Sequence, residues 1–352
     1  MAYSTINKST DYFNTKLYSG TGSSNAITGV GFQPDMVWIK QRSGTEQHVL
    51  FDAVRGVQKY VSPSGTAAEA TTATTLTAFN ADGFTEGGHG MTGANGSTYV
   101  SWNWKAGTTS GLSGGTITPS YYSFNTTSKS GIYKYTGNGT SGATVPHGLG
   151  AVPTLIMVKR TDTTSSWQVM GNGTGQPGAT SYGKLNSTDS FASNINRWNN
   201  TAPTTSVFSL GNSTEVNGNG GTYVAYVFCN VPGYFKSALY QGNNNSDGPF
   251  IFTGGKPKLL MIRPNIAGKN WFMYDSERLG MNSDGNATAN KTLWASSTSA
   301  EASVGTYKLD LLSNGFKIRE TGTDTNGTGN SYQYWCWMQP LVGSNNIATT
   351  AR

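Results

Sequence analysis

The chain has 352 residues and a net charge of +6 at pH 7; 12% of the residues are charged, 12% are aromatic and 46 are glycine. A disordered chain would lack so many aromatic side chains, and a helical protein would need periodic runs of Leu, Ala, Glu and Lys that this sequence does not contain. The composition therefore predicts an all-β protein of short strands and tight turns, and the length favours two or three domains over one.

The first part of the chain contains five short segments with the character of strands and turns. A tyrosine-containing strand at 17–20 leads into a Gly/Asn-rich turn, and a strand at 34–40 begins with proline and is apolar on both faces, as expected of a central buried strand. An aromatic segment at 49–52, a hairpin at 77–84 and a closing strand at 96–104 follow. The hairpin is predicted to turn at its Asp-Gly dipeptide, which a type I′ turn favours.

The same segments recur twice more in the same order. The proline of the buried strand is Pro34 in the first copy, Pro153 in the second and Pro257 in the third. The hairpin recurs with an Asn-Gly dipeptide at 309–316 and only weakly at 207–212. Because a repeat of this kind is the signature of tandem structural units, we predict three diverged copies of one fold with the same strand order.

Each copy has about the size of a two-sheet sandwich, which is commonly about 100 residues. We therefore predict three tandem β-sandwich modules, jelly-roll or lectin-like in character. Copy one occupies 1–107, copy two 131–233 and copy three 234–352. The Gly/Ser/Thr-rich segment 108–130 is predicted to be a flexible linker, with the aromatic run 121–124 as an anchor to a neighbour.

The composition also argues against several classes of partner. No stretch of about 18 apolar residues is present, so we expect no membrane-spanning helix and no membrane partner. The basic residues form only short groups, as at 40–42, so we expect no nucleic-acid partner.

Cys229 and Cys336 fall at different points of the repeat and are expected to be separate thiols. The polar segment after Met1 lacks the pattern of a secretory signal, which favours synthesis in a cytoplasm.

Candidate cofactor and metal sites are few. His48, His89 and His147 lie at unrelated points of the repeat without zinc-binding spacing, and His89 is predicted to be a solvated loop residue. No glycine run has the spacing of a phosphate-binding loop. The loops 243–248 and 323–327 are rich in Asp and Asn, but neither completes a calcium-loop pattern, and ordinary turns are favoured. We expect no cofactor and no metal.

The acidic residues give little support to catalysis. A glycan hydrolase needs two carboxyl groups roughly 5–10 Å apart across a cleft. Asp82 in the hairpin and Asp35 after the proline have structural explanations. Copies one and three carry Asp52 and Asp275 at the end of the aromatic segment, where copy two is predicted to carry Met170. The sequence therefore predicts a protein that is not an enzyme.

The aromatic residues allow a core role and a surface role. Tryptophans of the closing strand, such as Trp102 and Trp104, are expected in the core of the sandwich. Trp198 lies beside Arg197 in a polar, Asn-rich segment, and this pair is the candidate surface-binding site for a sugar or a partner protein. Local packing of Trp198 within its loop is the favoured alternative.

Four segments resemble proteins encoded by tailed phages, especially marine ones. They are DYFNTKLYSG (11–20), GVGFQPDMVWIK (29–40), FNADGFT (79–85) and YVSWNWKAG (99–107). In that family such segments recur in tail-fibre-like and other virion proteins. The resemblance is strongest over copy one, reaches the other copies through the internal repeat, and implies no catalytic residues.

The resemblance implies a component of the virion. The first expectation is a structural protein of the tail, a fibre or spike that contacts the host surface, with other virion proteins and a host-surface glycan as partners. The alternatives are a capsid decoration protein on the head and, from another class, a glycan-hydrolysing tail protein. By analogy with phage fibres, a homo-oligomer is expected, with a trimer as the first choice.

Overall fold

The computed structural model describes residues 4–278, 290–303 and 308–342. Over these ranges the structure is almost entirely β, which confirms the predicted fold class. The ends of the predicted first and third copies, 1–3 and 343–352, lie outside the described residues. No helix in the described part is both long and apolar enough to cross a membrane. The helical elements are α1 (Ile195–Trp198) and the 3-10 turns Ser9–Asp11 and Gly178–Thr180.

The strands form three modules in chain order. Module one contains β1 (Phe13–Ser19), β2 (Asn25–Ile27), β3 (Met36–Gln41), β4 (Val49–Asp52), β5 (Lys59–Tyr60), β6 (Ala70–Thr71), β7 (Leu76–Asn80), β8 (Gly83–Glu86) and β9 (Thr98–Trp104). Its main sheet has the order β1-β9-β3-β4, and an outer sheet has the order β2-β8-β7. The ribbon β5-β6 completes the module.

Module two contains β10 (Tyr121–Asn125), β11 (Ser130–Thr136), β12 (Ala143–Pro146), β13 (Pro153–Arg160), β14 (Gln168–Gly171), β15 (Ser181–Tyr182), β16 (Ala192–Ser193), β17 (Val207–Leu210) and β18 (Thr222–Cys229). Its main sheet has the order β10-β11-β18-β13-β14. The outer sheet is reduced to β12-β17, and β15-β16 form a separate ribbon.

Module three contains β19 (Phe235–Gln241), β20 (Phe250–Phe252), β21 (Gly255–Pro264), β22 (Phe272–Asp275), β23 (Lys291–Trp294), β24 (Ala302–Ser303), β25 (Leu309–Leu312), β26 (Gly315–Ile318) and β27 (Ser331–Pro340). Its main sheet has the order β19-β27-β21-β22-β23-β24, and its outer sheet the order β20-β26-β25.

The three main sheets share one arrangement of four antiparallel strands. The orders β1-β9-β3-β4, β11-β18-β13-β14 and β19-β27-β21-β22 correspond strand for strand. The strands that contain the repeated proline in modules two and three, β13 and β21, also share an irregularity. In each of these proline strands, the register with the closing strand shifts between the proline and the leucine two residues later. The predicted repeat with a common strand order is therefore confirmed.

The inner faces of the three main sheets pack against one another and form a single hydrophobic core. Trp104, Phe228 and Trp337 occupy equivalent positions on the three closing strands. Their ring centroids lie 6.4 Å apart for Trp104 and Phe228, 5.2 Å for Phe228 and Trp337, and 5.3 Å for Trp337 and Trp104. Three equivalent residues in mutual contact define a pseudo-threefold axis that relates the modules.

Each main sheet is buried on both faces, which explains its apolar strands. In β3, Met36 and Trp38 point into the shared core, whereas Val37 and Ile39 point into a core between the two sheets of module one. The predicted central strand with two buried faces is confirmed. Trp102 and Trp104 were expected inside the sandwich, but both lie in the shared core. The prediction was wrong because alternation separates the two faces of a strand without showing which face meets the outer sheet.

A stacked pair of tyrosines holds the loop before each closing strand. In module one, Tyr18 and Tyr99 stack with ring centroids 5.2 Å apart, and their hydroxyls donate to the carbonyls of Thr92 and Gly90. Modules two and three repeat the arrangement with Tyr135 and Tyr223, and with Tyr240 and Tyr332. These hydrogen bonds hold the loop before the closing strand in each module, although the three loops differ in sequence.

The turn of the β7–β8 hairpin differs from the predicted type I′ turn at Asp-Gly. The chain turns at the two residues between Asn80 and Gly83, so Gly83 is the first residue of β8 rather than part of the turn. A side chain at Gly83 would overlap the carbonyl oxygen of Ile27 on β2, and Gly315 lies equally close to Ile251. Glycine is therefore required by the close approach of a neighbouring strand.

The segment 108–130 is not a free linker. It contains β10, which pairs with β11 as an extra strand of module two, and its Ile117 is buried. The N–H groups of Thr116 and Ile117 donate to the carbonyl of Thr144 on β12. Phe124 packs into the core of module two, and this burial holds the glycine-rich segment in place.

Candidate functional site

The junction between modules one and two contains a buried ion pair. Arg55 Nε donates to Asp52 Oδ2 at 2.6 Å, and both side chains are fully buried. The hydroxyl of Tyr226 from module two donates to the same oxygen at 2.6 Å. Arg55 also donates to Glu69 at 3.1 Å and to the carbonyl of Leu50. The carboxylate of Asp52 is therefore occupied by structural partners rather than presented to a substrate.

The junction between modules three and one repeats this geometry. Arg278 Nε donates to Asp275 Oδ2 at 2.5 Å, and Trp102 Nε1 from module one donates to the same oxygen at 3.1 Å. Arg278 and Arg42 both pair with Glu301, at 3.1 and 2.9 Å. Because Trp102 and Tyr226 are equivalent residues of the closing strands, the two junctions are pseudo-symmetric.

At the junction between modules two and three, the described part of the chain forms no ion pair equivalent to Asp52–Arg55 and Asp275–Arg278. The strand register places Gly171, not Met170 as predicted, at the position equivalent to Asp52 and Asp275. A side chain at Gly171 would overlap the amide of Gln333. Near Gly171 neutral side chains connect the modules instead, as where Ser237 Oγ donates to Gln176 Oε1 at 2.9 Å.

A ring at the start of each aromatic segment also crosses to the preceding module. Trp167 Nε1 donates to the carbonyl of Ser62 at 2.7 Å, and Trp271 Nε1 donates to that of Lys184 at 2.9 Å. His48 takes the equivalent place, beside the backbone of Trp294. Burial foremost, and then the charge of Lys40, lowers the pKa of His48 well below its usual value. His48 is thus a neutral structural residue.

Three buried cations lie at equivalent positions of the proline strands: Lys40, Lys159 and Arg263. Lys159 Nζ donates to the carbonyls of Thr66, Arg160 and Ser165, and Thr66 belongs to module one. Burial lowers the pKa of Lys40 and of Lys159 to about 8, and that of Arg263 to about 10. These cations are bound by backbone carbonyls and have no side available for an anionic ligand.

The predicted surface site at Trp198 and Arg197 is wrong for the tryptophan, which is 0% exposed. The side chain of Asn194 accepts from the N–H of Asn196 and begins helix α1, which ends at Asn199 in a left-handed conformation with φ 55°. The helix packs against β17 and takes the place that a hairpin strand, β7 or β25, occupies in the other modules. Trp198 therefore fills the core of module two.

The side chain of Arg197 also has its partners within the protein. Its guanidinium pairs with Glu215, its Nε donates to Gln168 Oε1 at 3.0 Å, and it lies 4.8 Å from the ring centroid of Tyr182. The favoured alternative, local packing, describes both residues. Their polar neighbours in the sequence suggested exposure because those neighbours face outward from a single helical turn.

The remaining sequence candidates have structural roles. The carboxylate of Asp82 accepts from the N–H groups of Gly29 and Gly31, at 2.9 and 2.6 Å. Asn326 links the two Asp/Asn-rich loops, donating to the carbonyl of Asn245 at 2.8 Å. Both cysteines are free and buried, and burial raises the pKa of Cys229 to about 12. Among the described residues, no group of His, Cys, Asp and Glu is arranged to hold a metal ion.

An open cleft of about 200 Å³ lies where β10 meets module one. Its walls are formed by residues of module one and by the segment that was predicted to be a linker: Asp35, Ala53, Val54, Thr109, Ser120 and Tyr121. Tyr121 is 62% exposed, more than any other large hydrophobic side chain in the described residues. The aromatic run 121–124 was predicted only to anchor the segment to a neighbour; the position of Tyr121 outside the strand repeat is the sequence signal that sets it apart.

Asp35 is the acid of this cleft. Its two carboxylate oxygens accept from the N–H of Ala106 at 2.7 Å and from Ser123 Oγ at 2.9 Å. Burial raises the pKa of Asp35, while these hydrogen bonds and the charge of Lys105 oppose the rise. Lys134 Nζ lies 5.5 Å from the ring centroid of Tyr121. The cleft therefore combines an exposed aromatic ring and a carboxylate with lysines of opposite charge nearby.

A larger open cleft of about 320 Å³ lies beside the ribbon β15-β16, next to module three. Its charged residues, Lys184 and Asp189, pair with each other at 2.9 Å. Because each neutralises the other, this cleft offers a ligand no uncompensated charge and no exposed aromatic ring comparable with Tyr121.

The fold defines a protein of three β-sandwich modules arranged about a common core. The model of the family described as "Domain of unknown function (DUF7483)" matches residues 8–340, and the chain belongs to this family. The matched range spans all three modules, so the family unit is the complete pseudo-threefold body rather than one sandwich. No curated protein matches the chain, and no solved structure matches it.

Proposed function

We propose that the protein is a non-enzymatic structural component of a tailed-phage virion, located at the tail as part of a fibre or spike that contacts the host. The observation that supports this most is the pseudo-threefold body with its continuous aromatic core. In a symmetric assembly the same contact is repeated at each symmetry-related surface. Three similar modules in one chain therefore suit attachment to a threefold particle component, the symmetry expected of phage fibres by analogy.

The state of the acidic residues supports a role without catalysis. Asp52 and Asp275 are fully buried and paired with arginines at two junctions. Of the acids that the structure describes, Asp35 alone lines the cleft between modules one and two. Glycoside hydrolysis needs two carboxyl groups about 5–10 Å apart across the substrate. This cleft supplies one, so we assign it to binding rather than bond cleavage.

A capsid decoration protein is the second candidate. The three modules form a compact body because their main sheets share one core, and such a body can also attach at a threefold position of a shell. In both cases the expected partners are other virion proteins. We also predict that several copies of this chain assemble into a homo-oligomer.

Mass spectrometry of gradient-purified particles tests the proposal. We expect peptides of this chain at a constant ratio to the major capsid protein through repeated purification, and also in tails separated from heads. Recovery with the heads alone would favour the decoration role. Loss of the chain during purification would overturn the virion assignment.

A further inference from the structure

The cleft at Asp35 and Tyr121 departs from the pseudo-threefold symmetry of the body. Among the described residues, modules one and three have no strand that corresponds to β10 beside the first strand of their main sheets. Thr154 and Lys258 hold the positions equivalent to Asp35, and they bind Asn230 and Glu277 respectively. The chain has therefore built one distinct cleft on a repeated scaffold, which indicates a role other than holding the modules together.

The charges around the cleft decide which ligand it accepts. A carboxylate at Asp35 disfavours an anionic ligand, because the two negative charges repel at short range. Lys134 above the Tyr121 ring and Lys105 near Asp35 disfavour a cationic ligand by the same argument. A neutral ligand with hydroxyl donors fits both restrictions, since each carboxylate oxygen can accept more than one hydrogen bond.

The shape of the cleft further restricts the class of ligand that it can bind. An exposed aromatic ring offers an apolar face to a flat ring with outward C–H groups, and Ser120 and Thr109 add hydroxyls at the margin. The volume of about 200 Å³ is below the roughly 300–1,000 Å³ of sites for drug-sized molecules. The space therefore suits a single pyranose ring at the end or on a branch of a longer chain.

We propose that this cleft binds one neutral hexose or N-acetylhexosamine unit of a surface polysaccharide, with Tyr121 against the ring and Asp35 accepting its hydroxyl protons. The inference rests on the proposed host contact for the source of the sugar, but the binding itself can be measured on the purified chain.

The test uses saturation-transfer NMR of the full chain with neutral methyl hexosides and N-acetylhexosaminides, and with glucuronide and glucosamine as charged comparisons. We expect at least one neutral sugar to bind and the charged sugars to bind more weakly. Tyr121→Ala should weaken binding at least about fivefold, whereas Tyr121→Phe, which retains the ring, should stay within about twofold of the wild type. Asp35→Asn should also weaken binding.

Phe252→Ala is the matched control, because Phe252 is an exposed aromatic residue of β20 in module three, at 50% exposure. It should leave sugar binding unchanged. Binding of no sugar in the panel, or equal binding by wild type and Tyr121→Ala, would overturn the inference. A chain that is present in particles but binds no sugar overturns this inference alone. A chain that binds sugar through Tyr121 but is absent from particles supports the cleft and overturns the virion role.

Discussion

Replacing Arg55 with Met measures how much the buried ion pairs between modules contribute to stability. Arg55 contacts Asp52, Glu69, the carbonyl of Leu50 and the hydroxyl of Tyr226. Its loss leaves the Asp52 carboxylate buried without a counter-charge. Breaking a buried pair in this way costs about 3–5 kcal/mol, because the remaining charge stays desolvated. We expect a decrease of that size in the free energy of unfolding.

Urea unfolding followed by tryptophan fluorescence provides the assay. One transition is expected, because the modules share a core. Lys8→Met is the control: Lys8 forms a solvent-exposed pair with Asp11, and such pairs contribute less than about 1 kcal/mol.

A triple variant, Asp52→Leu with Arg55→Met and Tyr226→Phe, removes the three most deeply buried polar side chains of the cluster and keeps Glu69, whose side chain is 20% exposed. Replacing a buried pair by apolar groups of similar volume is often close to neutral, and the neutral junction at Gly171 shows that this fold accepts such an interface. We expect the triple variant to be more stable than Arg55→Met. If Arg55→Met loses no more stability than Lys8→Met, or if the triple variant is several kcal/mol less stable than Arg55→Met, then an unpaired buried Asp52 is not the cause of the loss.

Three further predictions concern the core, the close strand approach and pH. Trp198→Ala should cost about 3–5 kcal/mol in urea unfolding, because it empties a fully buried site; a loss below about 1 kcal/mol would contradict its placement in the core. Gly83→Ala should cost at least about 2 kcal/mol, since its side chain meets the Ile27 carbonyl, whereas Gly96→Ala, with open space around it, should cost about 1 kcal/mol; equal costs would exclude the close approach. His48 has a lowered pKa in the folded protein, so the unfolded chain binds more protons below about pH 6.5 and stability falls there by up to about 1.4 kcal/mol per pH unit. His48→Gln should flatten this decrease between pH 6.5 and 5 relative to the wild type; parallel pH profiles for the two proteins would show that His48 does not titrate in this way.

The strands were predictable from sequence because their signals are local. A proline that opens an apolar run, as at Pro153, and an alternating closing strand each identify an element from a few neighbouring residues. Their recurrence in one order then predicted the common topology, which the three main sheets share.

The packing between modules could not be predicted in the same way. Alternation places Trp102 and Trp104 on one face of a strand but does not say whether that face meets the outer sheet or another module. A usable signal was present nevertheless. Asp52 precedes Arg55, and Asp275 precedes Arg278, by the same three residues at the same point of the repeat, and both pairs lie at junctions.

The candidate sites depended on exposure, which the neighbouring residues misrepresented. Trp198 lies among polar residues but turns inward at the end of a short helix. Tyr121 lies in a segment that resembles a linker, yet β-pairing with β11 fixes it beside Asp35 of module one. The cleft is formed by residues far apart in the sequence, so no local motif indicates it.

Electron microscopy of intact phage particles labelled with antibody against this chain tests the proposed function most directly. We expect label at the tail, at the distal end or at the sites where fibres or spikes attach. Label spread over the head would contradict the tail location in favour of decoration, and particles without label, under conditions that label the purified chain, would contradict a surface-exposed role in the virion.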